Sequence, residues 1–373
     1  MSRDPRGINW GTAIFLITYQ TVLLLTLPFY FYYCTLHTGT LITAFVLLWL
    51  TGLSITAGYH RYFAHRSYKA HPIVEAVLIF FGTMAVQASV LRWSFEHRLH
   101  HAYVDTDRDP YCINKGFWYA HFFWMLEKLQ PIDPKVVPDL ISNKWIAFQH
   151  RHYKPLMFGV NTLVFFVVGA AFQDYWGAFF IAVWLRIFCL QHFTWFINSL
   201  AHTWGSKQFS LEQSAVDNYV IALLTFGEGY HNYHHTFAND YRNGIRWFHF
   251  DPTKWLIWTL SKVGLAHGLK RTDPLTVKKR IIIEHKAFLL ERLSNYWKET
   301  RHELEKQVVD LSERILASIS EFAKLKDLYQ KSKNEATEPT SLEQIQKNIR
   351  ELQSKLHEDW AQWKALSHSI LRG

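Results

Sequence analysis

Four long apolar stretches limit what this chain can fold into. They run roughly from Thr12 to Tyr33, Thr40 to Ala57, Leu156 to Phe172 and Gly177 to Ala201. Each has the length of a bilayer-crossing helix, and in hydrocarbon a helix satisfies every backbone polar group within its own segment. Hydrophobic residues make up 49% of the chain, yet 19% are charged, so very apolar segments alternate with charged ones. The net charge of +9 is expected from membrane-flanking loops rather than from nucleic-acid binding. The connections near Leu36 to Gly39 and Gln173 to Tyr175 carry no Lys or Arg, whereas His60 to Lys154 and everything after His202 are rich in both. That asymmetry puts both termini and the intervening polar regions on the cytoplasmic side of a bacterial inner membrane or an endoplasmic reticulum. The first apolar run has no small-residue cleavage site after it and reads as a retained span. Arg186 falls inside the fourth span and is expected to face a protein or watery interior. Cys34, Cys112 and Cys189 are scattered, which suggests neither a disulfide framework nor a zinc ribbon.

Between and after the spans lie three histidine-dense strings: H-R-Y-F-A-H (His60, His65), H-R-L-H-H (His97, His100, His101) and H-N-Y-H-H (His231, His234, His235). Residues three and four apart share a helix face, so each H-x-x-H-H string aims three imidazoles at one point. His60 and His65 are five apart, about 140° around an ideal helix, and need a helix end or a local distortion. N-S-L-A-H adds His202 as a ninth ligand, with Asn198 one turn earlier to complete the sphere or hold a water. Imidazole suits iron, zinc, copper and nickel alike. Catalytic zinc normally takes three protein ligands and a water, so nine imidazoles point instead to two irons that use dioxygen. A fifth apolar stretch, about Ile73 to Leu91, would separate the first two strings if it crossed. It is expected as a surface or half-buried helix. The remaining histidines, His121 and His192 among them, read as surface or satisfied polar residues.

The last part of the chain differs in kind. Leu304, Val308, Leu311, Ile315, Phe322, Leu325 and Tyr329 follow a heptad that only Ser318 breaks. After a polar break at Pro339, a second stripe runs through Leu342, Ile345, Ile349, Leu352, Leu356, Trp363, Leu366 and Ile370, with Ser341 and Gln344 as a capping box. An antiparallel hairpin is expected, either packed as an accessory or used for self-association or partner docking. The boundaries are residues 1–275 for the membrane domain and 276–373 for this extension.

From about Ile14 to Arg271 the chain resembles the membrane fatty acid desaturases, especially the stearoyl-CoA (Δ9 acyl-CoA) branch. The likeness rests on T-A-G-Y-H-R-Y-F-A-H-R (Thr56 to Arg66), W-x-x-x-H-R-x-H-H (Trp93 to His101), D-x-D-x-D-P-Y (Asp105 to Tyr111), T-W-F-I-N-S-L-A-H (Thr194 to His202) and G-E-G-Y-H-N-Y-H-H-T-F (Gly227 to Phe237). The resemblance implies an all-α membrane protein: four spans below a cytosolic helical cap that holds a di-iron centre. It implies His60, His65, His97, His100, His101, Asn198, His202, His231, His234 and His235 as ligands of two ferrous ions. It also implies an O2-dependent oxidoreductase that puts a cis double bond into a saturated acyl chain. The chain has no H-P-G-G haem motif, so electrons are expected from a separate carrier such as a cytochrome b5-type protein or a ferredoxin. Trp93 and Trp195 are candidates to line an acyl tunnel, and Arg92, Glu96, Arg98 and Lys115 to meet an acyl-CoA head group. Gln87-Ala88 and Asn114-Lys115 depart from the animal pattern, which keeps a lipid-esterified or protein-bound acyl chain open. A membrane di-iron hydroxylase is the nearest rival.

Overall fold

The computed structural model describes residues 7–294, 298–334 and 339–372. Four helices among them are long and apolar enough to cross a membrane: Trp10–Tyr33, Thr38–Ala64, Tyr153–Phe172 and Tyr175–His202. They match the four apolar stretches, the second reaching past Ala57 to Ala64. The first is α1 (Trp10–Tyr33). The second begins as α2 (Thr38–Leu53) and continues as a π-helix over Ser54–Ala64. The fifth apolar stretch forms α3 (Pro72–Met84), opened by the His71 cap and Pro72. Its 13 residues rise about 20 Å, short of a hydrocarbon core of about 30 Å. Helix α4 (Val90–Tyr103) follows. The third span is α5 (Tyr153–Phe172), and the fourth is π-wound over Ala178–Leu185 before α6 (Arg186–Ser199). Arg186 is 2% exposed and donates to the Ala182 and Met84 carbonyls and to Asn161 Oδ1. The intramembrane cation thus faces protein, as its cost in lipid demands.

The chain divides into two compact units. The first contains the four spans, α7 (His231–Thr236), α8 (Pro252–Lys262) and a two-residue antiparallel ladder that pairs Lys69 with His267 and Ala70 with Ala266. The second contains Gln208–Glu212 and the chain from Thr272. Its helices are α9 (Pro274–Leu293), α10 (Lys298–Asn334) and α11 (Pro339–Arg372). In the α10–α11 hairpin, Tyr329 accepts from Gln346 while Arg314 pairs with Asp359. Later residues of α10 therefore meet earlier ones of α11, the antiparallel arrangement the stripes suggest. Helix α9 adds Ile282, Leu289 and Leu293 to a core with Val308, Leu311, Ile315, Ile319, Trp363 and Ile370. At 20 residues against 37, α9 covers only part of α10. Phe322, Leu325 and Tyr329, further along, are half-buried. Ser341 is the third residue of α11 rather than its N-cap, and the break before Pro339 lies outside the described residues.

Candidate metal centre

The five-residue spacing of His60 and His65 is accommodated by π winding. The His65 amide donates to the His60 carbonyl at 3.0 Å, an i→i+5 bond, and the two ring centroids lie 4.8 Å apart. Ser89 caps α4 by accepting from the Arg92 amide at 3.2 Å, and that helix carries His97, His100 and His101 on one face. Helix α7 carries His231, His234 and His235 in the same spacing. His202 ends the short 3₁₀ turn Leu200–His202 that closes the fourth span.

These elements gather all nine histidines into two sets: His60, His65, His97, His101 and His234, and His100, His202, His231 and His235. Within each set the ligand nitrogens lie within 4.8 Å of one another. Neighbouring Nε2 atoms are closer: His65–His97 at 2.8 Å, His60–His234 at 2.9 Å, His234–His101 at 3.0 Å, His235–His231 at 3.1 Å and His100–His235 at 3.2 Å. A hydrogen bond would explain one such pair. A ring nitrogen close to two others inside a converging set is the geometry of ligands around a cation. Ligands at right angles on bonds of about 2.1 Å stand about 3.0 Å apart. The Nε2 of His202 is buried without a protein partner, and such an orphan is costly unless something binds it. The residues present therefore fit two metal ions.

The far side of several rings fixes the proton. His60 Nδ1 lies 3.0 Å from Glu228 Oε2, and His100 Nδ1 2.9 Å from Asp109 Oδ1. A carboxylate only accepts, so in the hydrogen-bonded His100–Asp109 pair Nδ1 carries the hydrogen and Nε2 is left as a lone pair. Ser214 spends its single hydroxyl hydrogen on Asp105 Oδ1. It therefore accepts from His202 Nδ1 at 2.6 Å, which frees that ring's Nε2 as well. Burial, reinforced by neighbouring imidazoles, holds His65, His97, His101, His231, His234 and His235 well below the ordinary imidazole value. They are neutral imidazoles, the form a metal ion takes as ligand.

A buried ion network supports the first set. Arg61, 1% exposed, forks to Glu228 at 2.8 Å and Asp251 at 3.0 Å and donates to the Tyr241 carbonyl at 2.7 Å. Burial alone would raise the Glu228 carboxyl, but Arg61 and His60 hold it below the usual carboxylate value. The glycines of G-E-G-Y let this carboxylate in. A Cβ at Gly229 would stand 2.2 Å from the Ala222 nitrogen, and one at Gly227, whose φ is +98°, 2.7 Å from Asp251 Cα.

The remaining candidates separate by their surroundings. Trp93 stacks on His97 with centroids 4.9 Å apart, backing a ligand ring. Trp195 is buried beside His192, Phe122 and His121, and His121 hydrogen-bonds His192 and Ser199, each at 3.0 Å. Asn198 is half-buried one turn before His202. Arg98 is fully engaged, with Asp139 at 2.7 and 2.8 Å and the carbonyls of Phe63, Ala64 and Val136. Arg92 pairs with Glu96 at 3.1 Å and donates to the Gln130 carbonyl at 2.7 Å. These two arginines and Glu96 brace α4, whereas Lys115 is exposed near Tyr119. Sequence reasoning missed Glu228, Asp109, Ser214 and Tyr111 as partners of the clustered histidines, and Asp105 behind Ser214, although all but Ser214 lie in quoted motifs.

The sequence model of the family described as fatty acid desaturase matches residues 10–268. A probable acyl-CoA desaturase of Schizosaccharomyces pombe is 44% identical over 260 residues, covering 69% of this chain and 54% of that protein. Acyl-CoA desaturase 1 of Saccharomyces cerevisiae is 44% identical over 240 residues, 62% of this chain and 46% of its own. The sn-1 stearoyl-lipid 9-desaturase of Anabaena variabilis is 32% identical over 270 residues, 71% of this chain and 95% of that protein. The chain thus spans about half the length of the two fungal relatives and nearly all of the cyanobacterial one.

Proposed function

This chain belongs to the fatty acid desaturase family, and on that premise we propose that it inserts a cis double bond, at the Δ9 position, into a saturated fatty acyl chain. The reaction would use dioxygen and electrons from a separate carrier, of cytochrome b5 or ferredoxin type. The observation that carries this reading is the convergence of nine histidines into sets of five and four inside a protein with four membrane-length helices. Those histidines, with Asn198, would hold two irons, which when bound supply the redox chemistry that activates dioxygen. Residues 1–275 would form the desaturase domain and 276–373 an accessory unit, with the histidine face and both termini cytoplasmic.

The protein's own residues do the positioning. An unactivated methylene offers no acidic hydrogen for a general base, so selectivity must come from where the chain is held. Trp93, stacked on a ligand ring, and Trp195 would wall the acyl path. Arg92, Glu96 and Arg98 would act on α4 rather than on substrate, because their donors and acceptors are engaged. That leaves Lys115 as the cation for coenzyme A phosphates. The fungal names support an acyl-CoA substrate. A lipid-esterified chain is the second reading, favoured by the 95% coverage of the stearoyl-lipid desaturase.

The test is the fatty-acid profile of a host without its own desaturase that expresses this chain or its His231→Ala variant. New cis-Δ9 monounsaturated chains that vanish in the variant are expected. Supply of labelled stearoyl-CoA to membranes then separates the head groups. Hydroxylated chains would contradict the reading.

A further inference from the structure

The turn at residues 85–89, between α3 and α4, holds two residues in the left-handed region, Val86 at φ 58° and Ala88 at φ 68°, and neither is a glycine. For a β-branched valine that conformation is a genuine outlier, and such strain persists only where the surroundings over-determine it. The spans supply that restraint. Gln191 Nε2 donates to the Val86 carbonyl at 2.9 Å, and Arg186 Nη1 and Asn161 Nδ2 donate to the Met84 carbonyl, each at 3.3 Å. Tyr19 in turn donates to Gln191 Oε1, and Asn161 Oδ1 accepts from Arg186. At the far end of the turn the Val90 amide donates to Gln149 Oε1 at 3.1 Å, and Ser89 Oγ lies 2.6 Å from His150 Nδ1. Arg186 and Gln191 are 2% and 1% exposed. The two carbonyls are thus satisfied inside the protein at the depth of the fourth span, where lipid would offer them nothing.

That turn connects the two indoles proposed to wall the acyl path. Ser89, its last residue, caps α4 through the Arg92 amide, and Trp93 follows one turn into that helix, stacked on His97. On the other side, Gln191 precedes Trp195 by one turn of α6, so the two side chains leave the same helix face. Val86 packs against the buried cluster of Leu16, Tyr19 and Ile187, as does Phe122. The Phe122 ring stands 5.5 Å from Trp195. A turn clamped from α6 at one end and continuing into α4 at the other sets how far apart the two walls stand.

We propose that Gln191 and Arg186 are positioning residues that set where along the acyl chain the double bond falls. By clamping the Val86 and Met84 carbonyls they keep the turn in its left-handed path, and the turn holds the Trp93 end of α4 at a fixed distance from Trp195. An unactivated methylene is selected by placement alone, so a drift of one wall presents a neighbouring pair of carbons to the histidine cluster. The inference rests on the desaturase reading above and deepens it. Because the clamp acts through the path of the backbone, a glycine at position 86, which enters the left-handed region without strain, depends on it less.

The experiment expresses the full chain in a host without its own desaturase and reads the double-bond positions in its fatty acids. Iron per chain and hydrogen exchange over residues 85–93 are measured on the purified protein. Gln191→Leu, Arg186→Lys and the double variant Gln191→Leu with Val86→Gly are compared with Ile257→Ala, which thins a buried cluster that contains none of residues 85–89. A misplacement of about 1 Å can cost about 100-fold in rate. Gln191→Leu and Arg186→Lys are therefore expected to raise the share of double bonds outside Δ9 at least about tenfold. Both should also speed exchange over residues 85–93 while iron per chain stays at the parent value. Adding Val86→Gly should recover most of the Δ9 share, and Ile257→Ala should leave the position unchanged. If Gln191→Leu does not accumulate, Gln191→Asn, which keeps the amide but draws it back by one methylene, reads the same shift. Undisturbed Δ9 products from folded, iron-loaded Gln191→Leu and Arg186→Lys would overturn the proposal. So would equal scatter in Ile257→Ala, or a double variant no better than Gln191→Leu alone. A parent chain that makes no unsaturated product would overturn the desaturase reading itself, and with it this inference.

Discussion

Arg61 and Ile315, at 1% and 0% exposure, are buried in the two units to the same degree by different physics. Arg61 belongs to a polar network in which a fork-shaped cation meets Glu228 and Asp251 and thereby steadies His60. Ile315 belongs to a stripe of aliphatic and indole side chains with no charge among them. A polar network of this kind is intolerant of change, because removing one partner strands the others in a medium that cannot solvate them. An apolar stripe loses stability in proportion to the volume removed and accepts substitutes of similar size. The histidine cluster gains fixed ring placement from the first kind of burial, and the helices of the second unit gain tolerance from the second.

Five substitutions test that contrast in descending order of effect. Arg61→Leu leaves two carboxylates buried without a counter-charge and should cost about 3–5 kcal/mol, read as lost metal and an early thermal transition in detergent. Arg61→Lys should rescue little, since an ammonium cannot reproduce the two-pronged contact; recovery of the parent transition would break the comparison. Ile315→Ala should cost about 2–5 kcal/mol, confined to the second unit's transition. Ile315→Val in the same place should cost only about 0.5–1.5 kcal/mol, a graded response that chemical denaturation can resolve. Lys331→Ala removes an exposed pair with Asp327 at 3.1 Å and should change stability by no more than about 0.5 kcal/mol.

The clustering of the nine histidines was legible because three imidazoles at i, i+3 and i+4 survive as a pattern in the bare sequence. The His60–His65 spacing even announced a distorted helix, and the π winding supplies it. Their hydrogen-bond partners were not legible, since Glu228 meets the His60 ring from a segment far away in sequence and Ser214, on the His202 ring, lies outside the histidine motifs. Arg98 looked like a surface cation for the same reason, as its partners Asp139 and Val136 lie about forty residues away. The stripes of α10 and α11 showed the 3.5-residue period plainly. The stripe of α9 did not, because Ile281, Ile282 and Ile283 in a row carry no helical period although only Ile282 of the three is fully buried.

The most direct test of the account is the metal content of the intact chain, purified from its membrane and compared with His234→Ala and His100→Ala. The account predicts two irons per chain, with each variant losing iron from its own histidine set. A single metal per chain, or two metals unaffected by either substitution, would contradict it.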